Sequence, residues 1–173
     1  MTVNAPARAA EVERAVRAVL DPEIPVITID DLGIVRGVEV REDPEGAAEA
    51  LVRVTITPTY SGCPAMQAIT DAIDRVARRH GMRAEIETVL SPAWTTDWMS
   101  ESGREGLRRF GIAPPTGERA VGPVTVGLSV RRVDCPTCGS SDTEELSRFG
   151  STACKALRRC RSCREPFEEF KSL

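Results

Sequence analysis

The chain has 173 residues, 28% of them charged, and a formal net charge of −3. This length suits one ordinary domain, or a domain of about 110 residues with a short satellite. The slightly acidic balance gives no overall positive field, which argues against nucleic acid or an anionic membrane as a partner. Residues 1–10 lack the apolar core of a signal peptide, and no apolar run approaches the roughly 20 residues of a membrane span. We therefore expect a cytoplasmic protein with reduced cysteines.

The first half of the chain alternates between helical and strand patterns. Helical spacing of apolar residues is followed by Asp21-Pro22, a pair that usually ends a helix. Two runs in which apolar residues alternate with other residues then flank a segment at 42–46 that contains Pro and Gly. This pattern indicates a hairpin connection. A second helical period precedes Gly81, and a third alternating run follows it. The predicted elements are helices at 9–20 and 64–80 and strands at 35–40, 50–57 and 84–90. Their order, α-β-β-α-β, predicts a small α/β sandwich with the helices on one face of a three-stranded sheet.

The next segment contains both tryptophans. Trp94 and Trp98 lie four residues apart, and Leu107 and Phe110 extend an apolar stripe that predicts a short helix. Core packing is the simplest role for the tryptophans, and an anchor for a partner is the alternative. Residues 111–123 contain three Gly and three Pro, which is typical of a linker. The predicted organisation is a first domain at 1–113, a linker and leading strand at 114–133, and a small module at 134–173.

The small module contains five of the six cysteines, and four of them form two Cys-x-x-Cys pairs. The predicted metal ligands are Cys135, Cys138, Cys160 and Cys163. Two such turns can close a tetrahedral four-sulfur site, the usual geometry of structural zinc, and Gly139 can supply a positive φ beside the first pair. A fragment of about 40 residues buries too little apolar surface to fold alone, so a metal would stabilise it. The pattern predicts a four-cysteine module like a zinc ribbon, with iron or an iron–sulfur centre as the alternative.

The fifth cysteine of the module, Cys154, exceeds the four ligands of a tetrahedral site. It is predicted to be a small buried hydrophobe. The alternative is a thiolate favoured by the nearby Lys155, Arg158 and Arg159. The same arginines, with Arg161 and Arg164, are the only support for a weaker hypothesis in which the module binds nucleic acid.

The sixth cysteine, Cys63, stands alone between a predicted strand and a predicted helix. Pro64 follows it, and proline favours the first helical position, so the sulfur is expected at a helix N-terminus where a thiolate is stabilised. Such a sulfur could bind metal transiently, or it could simply pack and cap the helix. Possible supporting residues are Asp21, Glu23, Thr57, Thr59 and Ser61. The acidic loop at 21–25 is interpreted first as a rigid turn and second as a source of ligands.

Sequence motifs for enzyme chemistry are not visible. The chain has no recognisable Ser/His/Asp arrangement, phosphate-binding loop or nicotinamide fingerprint. We therefore predict that the protein is not an enzyme.

Four motifs together resemble the metal–sulfur cluster assembly family. They are Asp21-Pro22-Glu23-Ile24-Pro25, Asp31-Leu32-Gly33-Ile34, Thr57 to Met66, and Pro92 to Trp98. The C-terminus resembles an extension found in one branch of that family, the accessory subunits encoded with phenylacetyl-CoA epoxidase. The segments that match the extension are Cys135 to Glu145, Phe149 to Ala156, and Cys160 to Lys171. In two places the chain departs from the pattern, with Arg158 in place of an aromatic residue and Ser172 in place of a frequent cysteine.

The resemblance implies an accessory factor in phenylacetate degradation that helps to mature the metal centres of the epoxidase. The implied partners are its diiron oxygenase and its iron–sulfur flavin reductase. Cys63 matches the motif cysteine of the family, and Asp21 matches the acidic position of its first loop. One hypothesis is that Cys63 transiently holds iron or an iron–sulfur cluster and passes it on. The alternative is a non-catalytic binding subunit that stabilises the epoxidase through the ribbon and the tryptophans, with no metal transfer.

Overall fold

The computed structural model describes residues 5–41, 50–116 and 132–172. The chain divides into two compact units. The first comprises residues 1–94 and 98–103, and the second comprises residues 95–97 and 104–173.

The first unit contains two helices and a three-stranded sheet, in the predicted order α-β-β-α-β. The elements are α1 (Ala5–Arg17), β1 (Val35–Arg41), β2 (Leu51–Ile56), α2 (Met66–Arg79) and β3 (Arg83–Thr88). The central strand β2 pairs with β1 in antiparallel fashion and with β3 in parallel fashion. A parallel pair needs a crossover connection, and α2 supplies it. The predicted α/β class is confirmed.

The core of the first unit lies against one face of β2. Val52, Val54 and Ile56 alternate with half-buried residues and are fully buried themselves. On the other face, Arg53 forms a 3.1 Å ion pair with Glu85 on β3. The helices contribute buried apolar side chains at helical spacing, namely Val12, Val16, Ile69, Ile73 and Ala77. Because only one face of β2 is fully buried, the helices cover one side of the sheet, as the alternation predicts.

Some element ends differ from the predicted ones. α1 ends at Arg17 and not at Leu20, because Leu20 instead forms an isolated antiparallel bridge with Thr28. His80 caps α2, and Gly81 follows with a φ of 66°, as its predicted role at the helix end requires. The predicted hairpin connection at 42–46 lies outside the described residues.

The tryptophan segment was expected to form one short helix, and this prediction is wrong at its start. A 3₁₀ turn spans Thr96–Trp98, and α3 begins only at Glu101 and ends at Phe110. Trp94 therefore precedes both elements. The Ser100 hydroxyl accepts a 2.9 Å hydrogen bond from the backbone N–H of Gly103, so a serine caps the helix after the tryptophans rather than before them.

The second unit is built on a four-stranded sheet. Its strands are β4 (Ile112–Ala113), β5 (Thr143–Ser147), β6 (Lys155–Cys160) and β7 (Pro166–Phe170), in the order β4-β7-β6-β5. β4 is parallel to β7, and the other neighbours are antiparallel. Its small core consists of Ala113, Val133, Cys135, Cys160 and Phe167.

Residues 104–113 belong to this second unit, although the sequence placed them in the first domain. The pairing of β4 with β7 accounts for the difference. In addition, the Arg104 guanidinium donates to the carbonyl oxygens of Thr96 and Pro115, both of which lie in the second unit. Most of the predicted linker and leading strand, residues 117–131, lies outside the described residues.

Candidate metal centre and motif cysteine

The second unit brings the four predicted ligands together. The sulfurs of Cys135, Cys138, Cys160 and Cys163 all lie within 4.8 Å of one another. The Cys135–Cys163 pair is 3.8 Å apart and the Cys138–Cys160 pair is 3.6 Å apart. Four sulfurs held about 2.3 Å from a tetrahedral ion lie about 3.8 Å from each other. These separations exceed a disulfide bond of about 2 Å and fit four thiolates around a single metal ion.

Two similar turns, which we call the knuckles, position these sulfurs. The first knuckle spans residues 135–140 and the second spans residues 160–165. In each, the backbone N–H of the first cysteine donates to the carbonyl oxygen five residues later, over 2.9 and 3.0 Å. Gly139 has a φ of 73°, which confirms its predicted conformation. The Ser140 and Ser162 hydroxyls lie 2.7 Å apart, so the two knuckles are also joined to each other.

The knuckle thiols differ in acidity. The backbone N–H of Cys163, 3.5 Å from the Cys160 sulfur, is the main reason that the pKa of Cys160 falls to about 6. Although the N–H of Glu165 favours the Cys163 thiolate, desolvation and the neighbouring thiols raise the pKa of Cys163 to about 12. Ionising one sulfur therefore makes the next harder to ionise. Four thiolates at this spacing require a bound cation, because the cation offsets their mutual repulsion.

A buried ion pair lies in the four-stranded sheet of the second unit, between β6 and β7. Arg158 on β6 donates to Glu169 on β7 over 3.0 Å, and both side chains are less than a tenth exposed. Arg158 also donates to the Thr143 hydroxyl at 3.3 Å, which in turn donates to the Val133 carbonyl oxygen. This network occupies the position where the family resemblance leads us to expect an aromatic side chain. The ribbon thus replaces apolar packing there with a paired charge.

Cys154 is not part of the four-sulfur group. It is buried, and its sulfur lies 3.0 Å from the hydroxyl of Thr152. This is the position that the small-hydrophobe interpretation expects. Its neighbour Lys155 is ion-paired with Glu168 at 2.9 Å, so the lysine charge is already compensated.

Cys63 lies in the loop between β2 and α2, and it is half-buried. The prediction that the helix begins at Pro64 is wrong, because α2 begins at Met66. The N–H of Cys63 donates to the Tyr60 carbonyl oxygen at 3.2 Å, and the N–H of Met66 donates to the Cys63 carbonyl oxygen at 3.4 Å. These bonds form turns at residues 60–66, so the helix begins only after them. The helix dipole acts mainly within the first turn, so its effect on this sulfur is smaller than the sequence suggested.

The hydroxyl residues around the loop differ in exposure. Thr57 and Thr59 are buried, whereas Ser61 is exposed. The N–H of Thr57 donates to the Ile34 carbonyl oxygen at 2.9 Å, which ties the start of this segment to the chain just before β1. A direct role for these hydroxyls beside the Cys63 sulfur stays a prediction.

The acidic loop is a turn, as its first interpretation holds. Asp21 is buried, and its Oδ1 accepts hydrogen bonds from the backbone N–H groups of Glu23 and Ile24 at 2.9 and 2.8 Å. This is an Asx-type turn, in which the carboxylate stabilises the loop that contains it. Glu23 is half-buried. That either carboxylate acts together with Cys63 stays a prediction.

The sequence analysis did not anticipate the role of Asp31. Its carboxylate accepts hydrogen bonds from the hydroxyls of Thr28, Ser100 and Ser102 at 2.8, 2.5 and 2.6 Å. Burial acts to raise the pKa of Asp31, but these donors outweigh it and hold the pKa below its ordinary value. The residues quoted for the resemblance include Asp31, but its serine partners are about 70 positions away and only the fold pairs them.

The tryptophans are joined to the same loop. Trp94 is buried, and its indole N–H donates to the Leu32 carbonyl oxygen at 2.9 Å. Gly33 has a φ of 71°, and a Cβ there would lie 2.6 Å from the backbone oxygen of Trp98. The half-buried Trp98 ring packs under Arg36, 3.5 Å from the guanidinium carbon. Core packing is therefore the role of Trp94, while Trp98 keeps part of its ring accessible.

The helices in the described part of the chain are too short or too polar to span a lipid bilayer.

Two protein families match successive parts of the chain. Residues 9–91 match the family described as "Iron-sulfur cluster assembly protein", and residues 121–171 match the "PaaD zinc beta ribbon domain". The first match contains Cys63, and the second contains all four sulfurs of the metal centre. Cys63 and the four-sulfur group therefore lie in parts of the chain that match different families.

Similar proteins span the chain in whole or in part. It is 44% identical over 170 residues to an Escherichia coli protein named as a putative subunit of 1,2-phenylacetyl-CoA epoxidase, covering 98% of this chain and 96% of that protein. It is 36% identical over 93 residues to the "Fe-S protein maturation auxiliary factor" of Porphyromonas gingivalis, covering 53% and 82% respectively. A solved structure of a domain of unknown function, DUF59, from Bacillus anthracis is 26% identical, covers 59% of this chain and 92% of that one, and has a TM-score of 0.49. Together, the match over nearly the full length and the zinc ribbon match show that the chain belongs to the PaaD family.

Proposed function

We propose that this chain is a cytoplasmic accessory factor of phenylacetyl-CoA epoxidase that helps to assemble iron or iron–sulfur centres in the complex and has no catalytic turnover of its own. The observation that carries the proposal is the joining of an iron–sulfur assembly domain and a zinc ribbon in one chain, matched over 98% of its length by a relative named as an epoxidase subunit. The shorter relatives, named as Fe-S protein maturation factors, match only about half of this chain, and the assembly-family match lies at residues 9–91. This division supports assembly as the task of the first unit.

In this proposal Cys63 is the working thiol. It is a half-buried residue in a loop whose backbone is held by turns on both sides. A single accessible thiolate binds a metal ion more weakly than four converging ones, which suits transfer better than storage. Asp21 and Glu23 are the proposed supporting carboxylates, and Thr57, Thr59 and Ser61 the proposed supporting hydroxyls.

The ribbon has a different task in this proposal. Its four sulfurs hold one zinc ion permanently, because a closed four-thiolate site has no open coordination position for chemistry. The metal stabilises a unit whose own apolar core is small. The ribbon then serves as a stable surface for the oxygenase or the reductase subunit, and nucleic acid is not a partner.

The test replaces Cys63 in cells that lack the wild-type protein. Cys63→Ala should leave the protein folded and the ribbon metal bound, but should abolish epoxidase activity and lower the iron content of the purified complex. Cys154→Ala is the matched control, because it removes a thiol outside the four-sulfur group and should keep both activity and iron. Full activity and normal iron content with Cys63→Ala would contradict the proposal.

A second candidate function is a binding subunit that stabilises the epoxidase without transferring metal. Exposed aromatic surface favours it: Phe149 on the ribbon is 67% exposed, and Trp98 is half-buried. On this hypothesis Trp98→Ala, or removal of the ribbon, prevents co-purification with the epoxidase, whereas Cys63→Ala has no effect. Trp94→Ala is unsuitable as a test, because Trp94 is a buried core residue.

A further inference from the structure

The two knuckles have the same backbone turn but differ in one residue. The residue that follows the second cysteine has a positive φ in both, 73° at Gly139 and 66° at Arg164. Among the described residues, Arg164 is the only one other than glycine in this conformation. The turn therefore needs a left-handed residue, and only the first knuckle has the residue type that adopts it without strain.

The arginine at this position is unfavourable for the backbone. An L-residue with a side chain is strained at positive φ, because its Cβ approaches the neighbouring carbonyl oxygen. A Cβ at Gly139 would meet nothing within 4 Å, so the backbone conformation, and not crowding, explains the glycine there. Strained residues persist where their surroundings stabilise them and often where they have a function. The side chain of Arg164 therefore needs a compensating role.

The surroundings of Arg164 are strongly basic. A surface pocket beside the metal centre is lined by Arg159, Arg161 and Arg164 together with the ligand Cys160. Two carboxylates pair with the first two arginines: one oxygen of Glu144 accepts from Arg159, the other accepts from Arg161 at 2.9 Å, and Asp142 lies 3.8 Å from Arg161. Arg164 forms no ion pair among the residues that the structure describes. The uncompensated positive charge in the pocket wall is therefore that of Arg164.

The metal centre supplies the opposite charge. Four thiolates around one divalent ion leave a net charge of two minus, and one of the four cysteines, Cys160, is a lining residue of the pocket. We propose that Arg164 is a counter-charge for the metal-loaded four-thiolate centre and strengthens its affinity for divalent metal. Attraction to the dianion compensates for the backbone strain at Arg164.

The proposal concerns retention of metal by the ribbon and does not depend on metal transfer at Cys63. Failure of one leaves the other intact. It also explains the basic cluster without nucleic acid, since these arginines already have anionic partners: a carboxylate for Arg159 and Arg161, and the thiolate centre for Arg164.

The test measures Zn²⁺ affinity of the full-length protein by competition with a chromophoric chelator. Arg164→Gly removes both the charge and the strain, and Arg164→Asn removes the charge at a residue type that tolerates positive φ. Arg164→Lys keeps the charge and the strain and is the matched control. Each variant is measured at low salt and at about 1 M salt, where the screening length falls to about 3 Å.

The change in Zn²⁺ affinity caused by Arg164→Gly has opposite signs for a counter-charge and for a residue that only strains the backbone. If Arg164 is a counter-charge, the glycine and asparagine variants bind Zn²⁺ roughly three- to tenfold more weakly at low salt, and the difference shrinks at high salt. The lysine variant stays within about twofold of wild type on the same electrostatic grounds. Equal or tighter Zn²⁺ binding by Arg164→Gly would overturn the proposal, as would a loss in Arg164→Lys as large as that in the glycine variant. Unchanged Zn²⁺ affinity with loss of oligonucleotide binding would instead assign the arginine to nucleic acid.

Discussion

The two cysteine sites of this chain lie in units that gain their stability in different ways. The first unit packs branched aliphatic side chains of α1 and α2 on one face of a three-stranded sheet, and Cys63 is in a loop beside that core. The second unit has five residues in its apolar cluster, and two of these, Cys135 and Cys160, belong to the four-sulfur group. Where packing stabilises the fold, no thiol is needed to hold the structure together. Where thiols and metal stabilise the fold, they cannot be released without cost to the structure.

Removal of the metal should separate the stabilities of the two units more than any other change. Cys160→Ser, or treatment with a strong chelator, should unfold the second unit, because zinc binding supplies roughly 10–16 kcal/mol in small zinc-stabilised folds. The first unit should stay folded, since its core contains no metal ligand. Hydrogen exchange resolved by residue, with metal analysis, checks this. Protection that persists in β6 and β7 after complete loss of metal would show that packing also stabilises the ribbon.

The buried ion pair tests how much the ribbon relies on side chains other than its ligands. Arg158→Met should destabilise the metal-loaded protein by about 3–5 kcal/mol, because it leaves Glu169 buried beside an apolar side chain. Combining it with Glu169→Leu should recover most of that loss, since an apolar pair packs without a desolvation cost. The measurement is urea denaturation of the two single variants and the double variant, analysed as a mutant cycle. Additive losses would mean that the two charges are not coupled.

A matched pair of glycine substitutions tests packing in the first unit. Gly33→Ala should destabilise this unit by roughly 2–4 kcal/mol, because it combines a strained positive φ with a Cβ 2.6 Å from the Trp98 backbone. Gly37→Ala is the control, since a Cβ there meets nothing within 4 Å. Thermal unfolding of the metal-loaded proteins measures both. Equal effects of the two substitutions would show that the loop relaxes away from Trp98.

The smallest expected effect concerns the pH dependence of the first unit. Because the pKa of Asp31 is lower in the folded protein, its contribution is present above the ordinary carboxyl pKa and is lost as the pH falls through the folded value. Asp31→Asn should therefore cost about 1–2 kcal/mol at neutral pH and less in acid. Asp71→Asn, at an exposed carboxylate on α2 that accepts from Gln67, should change stability little at either pH. A cost for Asp31→Asn that does not change with pH would point to lost packing instead of lost charge.

Local sequence determines some of these features and not others. The spacing of the two Cys-x-x-Cys pairs was enough to predict which four sulfurs converge, because each pair closes within one turn of the backbone. By contrast, the loop around Cys63 was predicted with the helix starting two residues too early, because the turns at Tyr60 and Met66 depend on backbone hydrogen bonds that composition does not reveal. The spacing of the tryptophans also predicts a helix that the structure starts only at Glu101. Trp94 and Trp98 are four residues apart, yet their positions are set by contacts with Leu32 and Gly33.

The sequence by itself determined the α-β-β-α-β order, the four cysteines whose sulfurs converge and the turn formed by Asp21. Each of these rests on residues close together in the chain, where spacing and side-chain type restrict the backbone. Only the tertiary structure decided the partners of Asp31, the ion pair of Arg158 with Glu169 and the pairing of Glu144 with Arg159 and Arg161. Those contacts join segments that are distant in sequence or lie on neighbouring strands. Their energies depend on burial and on the distance between charges, which arise only when the chain has folded.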